Sequence, residues 1–126
     1  SNKIYVEDDM LYATAFYEIS DERLKDFCGD IEVCLDDITK LPKKYFTWKD
    51  DDTKTSNIGT SAQEIQKLYP ELVDTDKETG FLSLAYDKLS VIALAAVDEI
   101  YDLLKNLKEE NKCLREKLLT LEGKIR

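Results

Sequence analysis

The clearest alternation of apolar and polar positions lies at the C-terminal end, where apolar residues recur every seven positions without an intervening proline. One series occupies the d positions of a heptad: Tyr86, Ala93, Ile100, Leu107, Leu114 and Leu121. The a positions are Val97, Leu104, Leu118 and Ile125, with Ser90 and Asn111 interrupting the apolar series. This spacing predicts a helix from about Ala85 to the end, with a coiled-coil core from Ala93 to Ile125, here called the seam.

Charges beside the seam favour parallel association of copies. In this register a parallel neighbour would bring Glu110 next to Arg115 and Lys117 next to Glu122, and both pairs are of opposite sign. One face of a packed helix bundle is the alternative interpretation of such a stripe. Continuous heptads with matching flank charges favour self-association over it.

The seam by itself allows either two or three strands. Leucine-rich d positions combined with mixed a positions are compatible with both numbers. Tyr101 and Leu103 widen the apolar stripe at its flanks, which favours a homotrimer. We interpret Asn111 as the residue that fixes the register of the strands, with a buried polar defect as the alternative.

Shorter patterns upstream predict a small domain. Lys3 to Val6 and Leu11 to Tyr17 are aromatic-rich and are predicted as strands or extended segments around an acidic turn. A helix that ends before Pro42 is predicted next, because apolar residues at i, i+3, i+4, i+7 and i+10 lie on one helical face: Ile31, Cys34, Leu35, Ile38 and Leu41.

The middle of the chain alternates β-prone and helical signals. Residues 44–48 are aromatic and β-prone, and a polar loop follows them. Ser61 and Glu64 have the spacing of a capping box before a short helix. Residues 72–73 and 81–84 flank a wide turn and predict a hairpin. The expected fold class is therefore α+β, with a small globular domain followed by a long helix that forms a parallel coiled coil.

Composition excludes several classes of function. The net charge of −9 argues against binding nucleic acid through phosphate contacts, and no apolar run is long enough to predict a membrane span. Three cysteines at long spacings fit a reduced compartment better than a disulfide framework. The acidic turn from Asp74 to Gly80 has the wrong glycine position for a calcium loop. We predict no cofactor and no metal.

Ser20 and Lys25 form a pair that allows two interpretations. Serine before Asp21 and Glu22 is typical of a helix N-terminus, with Lys25 then a solvated residue of the first turn. The chain contains no histidine, so a catalytic serine would need another base, and a lysine serves only when it is neutral. Because residues five apart on one helix differ by about 140°, Ser20 must lie off the helix that carries Lys25, or the two must meet across chains.

The surrounding motifs resemble the peptidase S74 domain, the intramolecular chaperone at the C-terminus of phage tail fibres, tailspikes and endosialidases. The resemblance rests on elements in the same order and spacing: Phe16 to Lys25, Pro42 to Trp48, Ile58 to Ile65, Tyr69 to Val73 and Leu82 to Leu89. It implies a homotrimeric chaperone that guides folding of the upstream fibre segment of the same polypeptide and then releases itself. It also implies bacterial host cytoplasm during phage assembly as the location.

By position, the resemblance implies that Ser20 is the nucleophile and Lys25 its general base in a single autocatalytic cut. The expected scissile bond is Ile19-Ser20, with Ser20-Asp21 as second choice. A supporting role near the pair is implied for the other motif residues: Asp21, Arg23, Gly59, Gln63 and Glu64.

The domains expected from this resemblance are an upstream extended segment over 1–19, a globular chaperone and autoprotease domain over 20–84, and a coiled-coil helix over 85–126. Two other functions stay open on the sequence. One is a trimerisation and folding module that does not cleave itself, and the other is a cellular coiled-coil adaptor.

Overall fold

A computed structural model of the chain describes residues 4–125 and divides it into two compact units, Ser1–Asp30 and Ile31–Arg126. In the first unit, strands β1 (Tyr5–Glu7) and β2 (Met10–Tyr12) form an antiparallel hairpin. Asp8 and Asp9 make its turn with φ of 48° and 63°. Aspartate adopts this left-handed conformation more readily than most residues do.

The first unit has no buried core, since each of its described residues is exposed. The strand predicted over 11–17 ends at Tyr12, because Tyr12 pairs with the first residue of β1 and the residues after it have no strand opposite them in the described chain. The other predicted strand lies at Tyr5–Glu7, and Lys3, its expected start, lies outside the described residues. A 3-10 turn at Glu22–Leu24 is the remaining regular element among residues 4–30.

The second unit combines helices with two further hairpins. Its elements are helix α1 (Leu35–Lys40), strands β3 (Lys44–Phe46) and β4 (Asn57–Gly59), helix α2 (Ala62–Leu68), strands β5 (Val73–Thr75) and β6 (Leu82–Leu84), and helix α3 (Leu89–Ile125). β3 pairs antiparallel with β4, and β5 pairs antiparallel with β6. The α+β class and the long C-terminal helix predicted from the sequence are confirmed.

Helix α1 is shorter than its apolar spacing predicted. The spacing placed Ile31 on the helix, yet the helix begins at Leu35 and Ile31 is exposed. Asp36 and Asp37 stand in the first turn, where carboxylates stabilise the positive end of a helix. Local electrostatics therefore set the start of α1 later than the apolar period alone indicates.

The core of the second unit is small and comes from α2, the 3-10 turn before β5, and α3. Ile65, Leu72 and Ile92 form it, and Ile65 is only 2% exposed. Partly buried residues packed around these three come from α1 and its C-terminal cap, the end of α2, β5, β6 and the start of α3: Ile38, Leu41, Tyr69, Val73, Leu84 and Leu89. A core of this size gives limited stability by itself, because burial of apolar area is the main favourable term in folding.

Candidate active site and assembly surface

The described structure brings Ser20 and Lys25 together within one chain. Lys25 Nζ lies 2.6 Å from Ser20 Oγ, at hydrogen-bond distance. Between them the backbone makes only the three-residue 3-10 turn Glu22–Leu24, and Lys25 itself is extended, with φ −124° and ψ 149°. Because both residues flank the turn instead of lying on one helix, the lysine side chain can reach back to the serine.

Asp21, and not Ser20, caps this turn. The Asp21 side chain accepts a hydrogen bond from the Arg23 main-chain N–H at 2.9 Å, and its main-chain carbonyl accepts one from the Leu24 N–H at 3.1 Å. The interpretation of Ser20 as the helix cap is therefore wrong, and the reason is that the carboxylate one residue later reaches the same donors. The Ser20 hydroxyl does not cap the turn and instead accepts a hydrogen bond from Lys25 Nζ.

Arg23 is held by the same carboxylate. Its guanidinium donates to both oxygens of Asp21, at 2.6 Å from Nη2 and 3.0 Å from Nε. This contact holds the pKa of Asp21 below its usual range and raises that of Arg23. A nearby cation would favour the neutral form of a lysine, but the charge of Arg23 is offset by its pairing with Asp21.

The pair lies on an exposed segment. Ser20 and Lys25 are exposed, and so are the aromatic residues that could have supplied apolar surroundings: Phe16, Tyr17 and Phe27. Ile19 is 86% exposed, so the Ile19-Ser20 bond is accessible. Lys25 Nζ donates in the observed contact, whereas a lysine acting as base must accept the serine proton. The contact brings the two groups within hydrogen-bond distance, but the lysine donates a hydrogen bond in it and does not accept the serine proton, as catalysis requires.

Gly59 has a packing role in the second unit. A Cβ at this position would lie 2.7 Å from Tyr86 Oη and 2.8 Å from Phe46 Cε1, closer than real Cβ contacts. The Tyr86 hydroxyl also accepts a hydrogen bond from the Thr60 N–H at 3.1 Å. The glycine therefore allows the β4 backbone to approach the Tyr86 side chain, which precedes α3. No local pattern in the sequence predicts this contact.

The rest of that motif builds helix α2. Ser61 Oγ accepts from the Glu64 N–H at 3.3 Å, as the capping-box spacing predicted, and Glu64 pairs with Lys67 at 2.9 Å. Gln63 is exposed on the helix. In the described residues these side chains account for local structure, and their supporting role in catalysis stays a prediction.

The seam forms a long exposed stripe on α3. Apart from Asn111, an exposed polar residue, its members are apolar and all are exposed: Ala93, Val97, Ile100, Leu104, Leu107, Leu114, Leu118, Leu121 and Ile125. The globular core uses other residues of the helix, since Ile92 and Ala96 are buried and Leu89 packs against the core. Contiguous apolar surface of this kind marks an interaction site.

Among the described residues 4–125, no group of histidine, cysteine, aspartate and glutamate side chains is arranged to hold a metal ion. None of the described helices is both long and apolar enough to cross a bilayer. The three cysteines are free and exposed.

A family model described as the chaperone of endosialidase, peptidase S74, matches residues 20–74. Residues 20–74 are thus similar to the peptidase S74 domain, as the motifs predicted, and the match begins at Ser20 and contains Lys25. Comparisons with curated proteins and with solved structures gave no match. The similarity supports a chaperone role in the folding of a fibre or spike protein, and the family name indicates a peptidase.

Proposed function

We propose that this peptidase S74 domain is a self-cleaving intramolecular chaperone of a phage tail fibre or tailspike. It guides the fibre segment of the same polypeptide into a trimer and then releases itself by a Ser20-Lys25 dyad. The observation that carries the proposal is the 2.6 Å contact between Lys25 Nζ and Ser20 Oγ, at the start of the matched segment. Bacterial host cytoplasm during phage assembly is the location proposed with it.

The reaction begins when neutral Lys25 takes the proton of Ser20 Oγ, which attacks the carbonyl carbon of Ile19. The bond from that carbon to the Ser20 nitrogen then breaks, and the nitrogen leaves as an amine that carries the proton from Lys25. An ester between Ile19 and Ser20 Oγ remains, and water hydrolyses it. The products are an Ile19 carboxylate and a new N-terminus at Ser20.

Assembly supplies what the single chain lacks. Covering the dyad on assembly would remove water from around the Lys25 amine, and loss of water disfavours the charged form of an amine. A neutral amine could then accept the serine proton. The strained main chain needed for attack on the preceding carbonyl is assigned to the assembled state as well.

Self-association through α3 is the form of assembly that we propose. The apolar seam from Ala93 to Ile125 is exposed in the single chain, and the globular core occupies a different face of the helix. A parallel register would pair Glu110 with Arg115 and Lys117 with Glu122 of the next copy. The apolar flank residues Tyr101 and Leu103 favour three strands over two.

The test is to express the chain behind a longer upstream segment and to follow cleavage by denaturing gel and mass spectrometry. The expected product of the wild type begins at Ser20, and N-terminal sequencing separates this from cleavage after Ser20. Ser20→Ala and Lys25→Ala should leave the chain intact. Lys25→Arg keeps a cationic donor toward Ser20 but cannot accept its proton, so it should also be inactive.

Ser56→Ala is a matched control, because Ser56 is exposed in the polar loop of the other unit. It should cleave like the wild type. Cleavage by Ser20→Ala, or by Lys25→Arg at the wild-type rate, would rule out the dyad.

A second candidate is a trimerisation and folding module that does not cleave itself. The exposure of Ser20 and Lys25, and the pairing of Arg23 with Asp21, favour it if assembly leaves the site uncovered. It predicts a stable trimer without fragments. A monomeric chain in sedimentation would instead favour the coiled-coil adaptor and contradict both other functions.

A further inference from the structure

Helix α3 carries apolar residues beside the seam in its first half and charged residues there in its second half. The e positions are Leu94 and Tyr101, then Lys108, Arg115 and Glu122. The g positions are Leu89, Ala96 and Leu103, then Glu110, Lys117 and Lys124. The interface near the globular part is therefore built to be wider than the interface near the C-terminus.

The two flanks of this first half differ in what covers them. On the g side, Leu89 packs against the core and Ala96 is buried. On the e side, Leu94 is 66% exposed and Tyr101 is 60% exposed. The globular part of the chain thus covers the g flank of its own helix at Leu89 and Ala96, while Leu103, the next g residue, is 56% exposed and the e flank is free.

A shallow groove adjoins the covered flank. It is lined by residues of β3, β4 and the start of α3, among them Tyr45, Ile58, Thr60, Tyr86 and Leu89. Tyr45 and Ile58 are cross-strand partners, and both are largely exposed. Tyr86 lies in the 3-10 turn just before α3, and Leu89 is the first residue of α3 and a g position, so the groove lies at the N-terminal end of the helix that carries the seam.

The heptad geometry determines what meets this groove. In a parallel coiled coil, a g residue lies next to the e residue five positions later in the neighbouring chain. The register that pairs Glu110 with Arg115 of the neighbour therefore places Leu89 beside the neighbour's Leu94. The charged pairs of the distal half and the apolar pair of the proximal half agree on one register.

We propose that the groove receives helix α3 of a second copy, with its Leu94 against Leu89, Tyr86 and Ile58. The globular part of each copy then packs on the helix of its neighbour, and the assembly is held by this contact as well as by the seam. This inference rests on the proposed parallel assembly and adds a second contact surface to it.

The first test compares two leucines of α3 that have the same exposure. Leu94 and Leu119 are each 66% exposed, but Leu94 is an e residue near the groove, and Leu119 is a b residue on the outside of the distal half. Leu94→Asp should weaken self-association by about tenfold or more in sedimentation equilibrium, as expected for loss of a buried leucine. Leu119→Asp should associate like the wild type.

The second test detects the contact directly. In a background with Cys28→Ser, Cys34→Ser and Cys113→Ser, the pair Ile58→Cys and Leu94→Cys is treated with a short bifunctional maleimide. Chains cross-linked to one another are expected on a denaturing gel. The pair Ile58→Cys and Leu119→Cys should give none.

The outcomes separate this inference from the proposed function. A wild-type chain that stays monomeric contradicts the proposed assembly itself. If the wild type forms trimers but the two aspartate variants associate equally, or the Ile58-Leu94 cross-link forms only within one chain, the assembly stands and the groove contact is wrong.

Discussion

The two compact units of the chain differ in what holds them together. Residues 31–125 enclose a core around Ile65, Leu72 and Ile92, whereas every described residue of the first unit is exposed. The first unit is held by local contacts, chiefly the hairpin and the ion pair between Asp21 and Arg23. The candidate dyad lies in this first unit. The proposed cleavage would thus take place in the part of the chain that has no buried core of its own.

In the proposed function, this difference would give assembly a physical means of controlling cleavage. An isolated two-stranded hairpin is marginally stable in water, and exposed ion pairs contribute little. The segment around Ser20 can therefore be reshaped by a neighbouring surface at small energetic cost. The second unit cannot be reshaped so easily, because its interactions are already made in the single chain.

The largest effect is expected from Ile65→Ala in the second unit. Removing a fully buried isoleucine side chain should cost about 2–5 kcal/mol of unfolding free energy. Trp48 packs edge-to-face with Phe46 in the same unit, so its fluorescence can follow denaturant unfolding.

Phe27→Ala is the matched change in the first unit, where the ring is 78% exposed. It should alter the unfolding free energy by no more than about 0.5 kcal/mol. A loss of unfolding free energy comparable with that of Ile65→Ala would show that the segment around Ser20 and Lys25 is packed in the free chain. The two units would then not differ in burial as described above.

A pair of glycines tests the close contact between β4 and the start of α3. Gly59→Ala should destabilise by about 1–3 kcal/mol, because the added Cβ meets Tyr86 Oη and Phe46 Cε1 below 3 Å. Gly123→Ala has open space around it and should stabilise α3 slightly, by at most about 1 kcal/mol. Thermal unfolding followed by circular dichroism measures both, and equal effects would contradict the packing role of Gly59.

Two serines test the capping assignments. Ser61→Ala should cost about 1 kcal/mol, since its hydroxyl accepts the Glu64 N–H at the start of α2. Ser20→Ala should change stability very little, because Asp21 caps the 3-10 turn. Denaturant unfolding of both variants decides the matter. A loss for Ser20→Ala equal to that for Ser61→Ala would restore the interpretation of Ser20 as a cap.

These two serines also show which parts of the local structure could be predicted from the sequence. Ser61 is a cap by pattern and in the structure, because the glutamate at the expected spacing stands at the start of a regular helix. Ser20 precedes two acidic residues, which is also typical of a helix start, yet the turn after it is only three residues long and Asp21 accepts the hydrogen bond from the Arg23 N–H. The heptad period of α3 was readable because it repeats over many turns.

Contacts between residues that are far apart in the chain could not be predicted from the sequence. The Tyr86 hydroxyl meets the Thr60 N–H across 26 positions, and the Tyr69 hydroxyl donates to the Glu32 carbonyl across 37. Neither spacing has a local signature, because such pairs are brought together by the packing of whole elements. The pairing of Ser20 with Lys25 is local, but the sequence does not show that only a three-residue 3-10 turn separates them, so it could only be stated as one of two geometries.

The smallest effect is expected in the acid titration of Asp21. The Arg23 guanidinium and main-chain N–H hold the pKa of this carboxyl below its usual range. Because the folded pKa is depressed, the contact contributes above the unfolded pKa of aspartate and is lost as pH falls through the folded value. Carboxyl-carbon NMR should give a midpoint for Asp21 that rises in Arg23→Ala, without returning fully, since the main-chain N–H remains. An unchanged midpoint would mean that the ion pair does not hold the turn, and the first unit would then have even less to position Lys25 against Ser20.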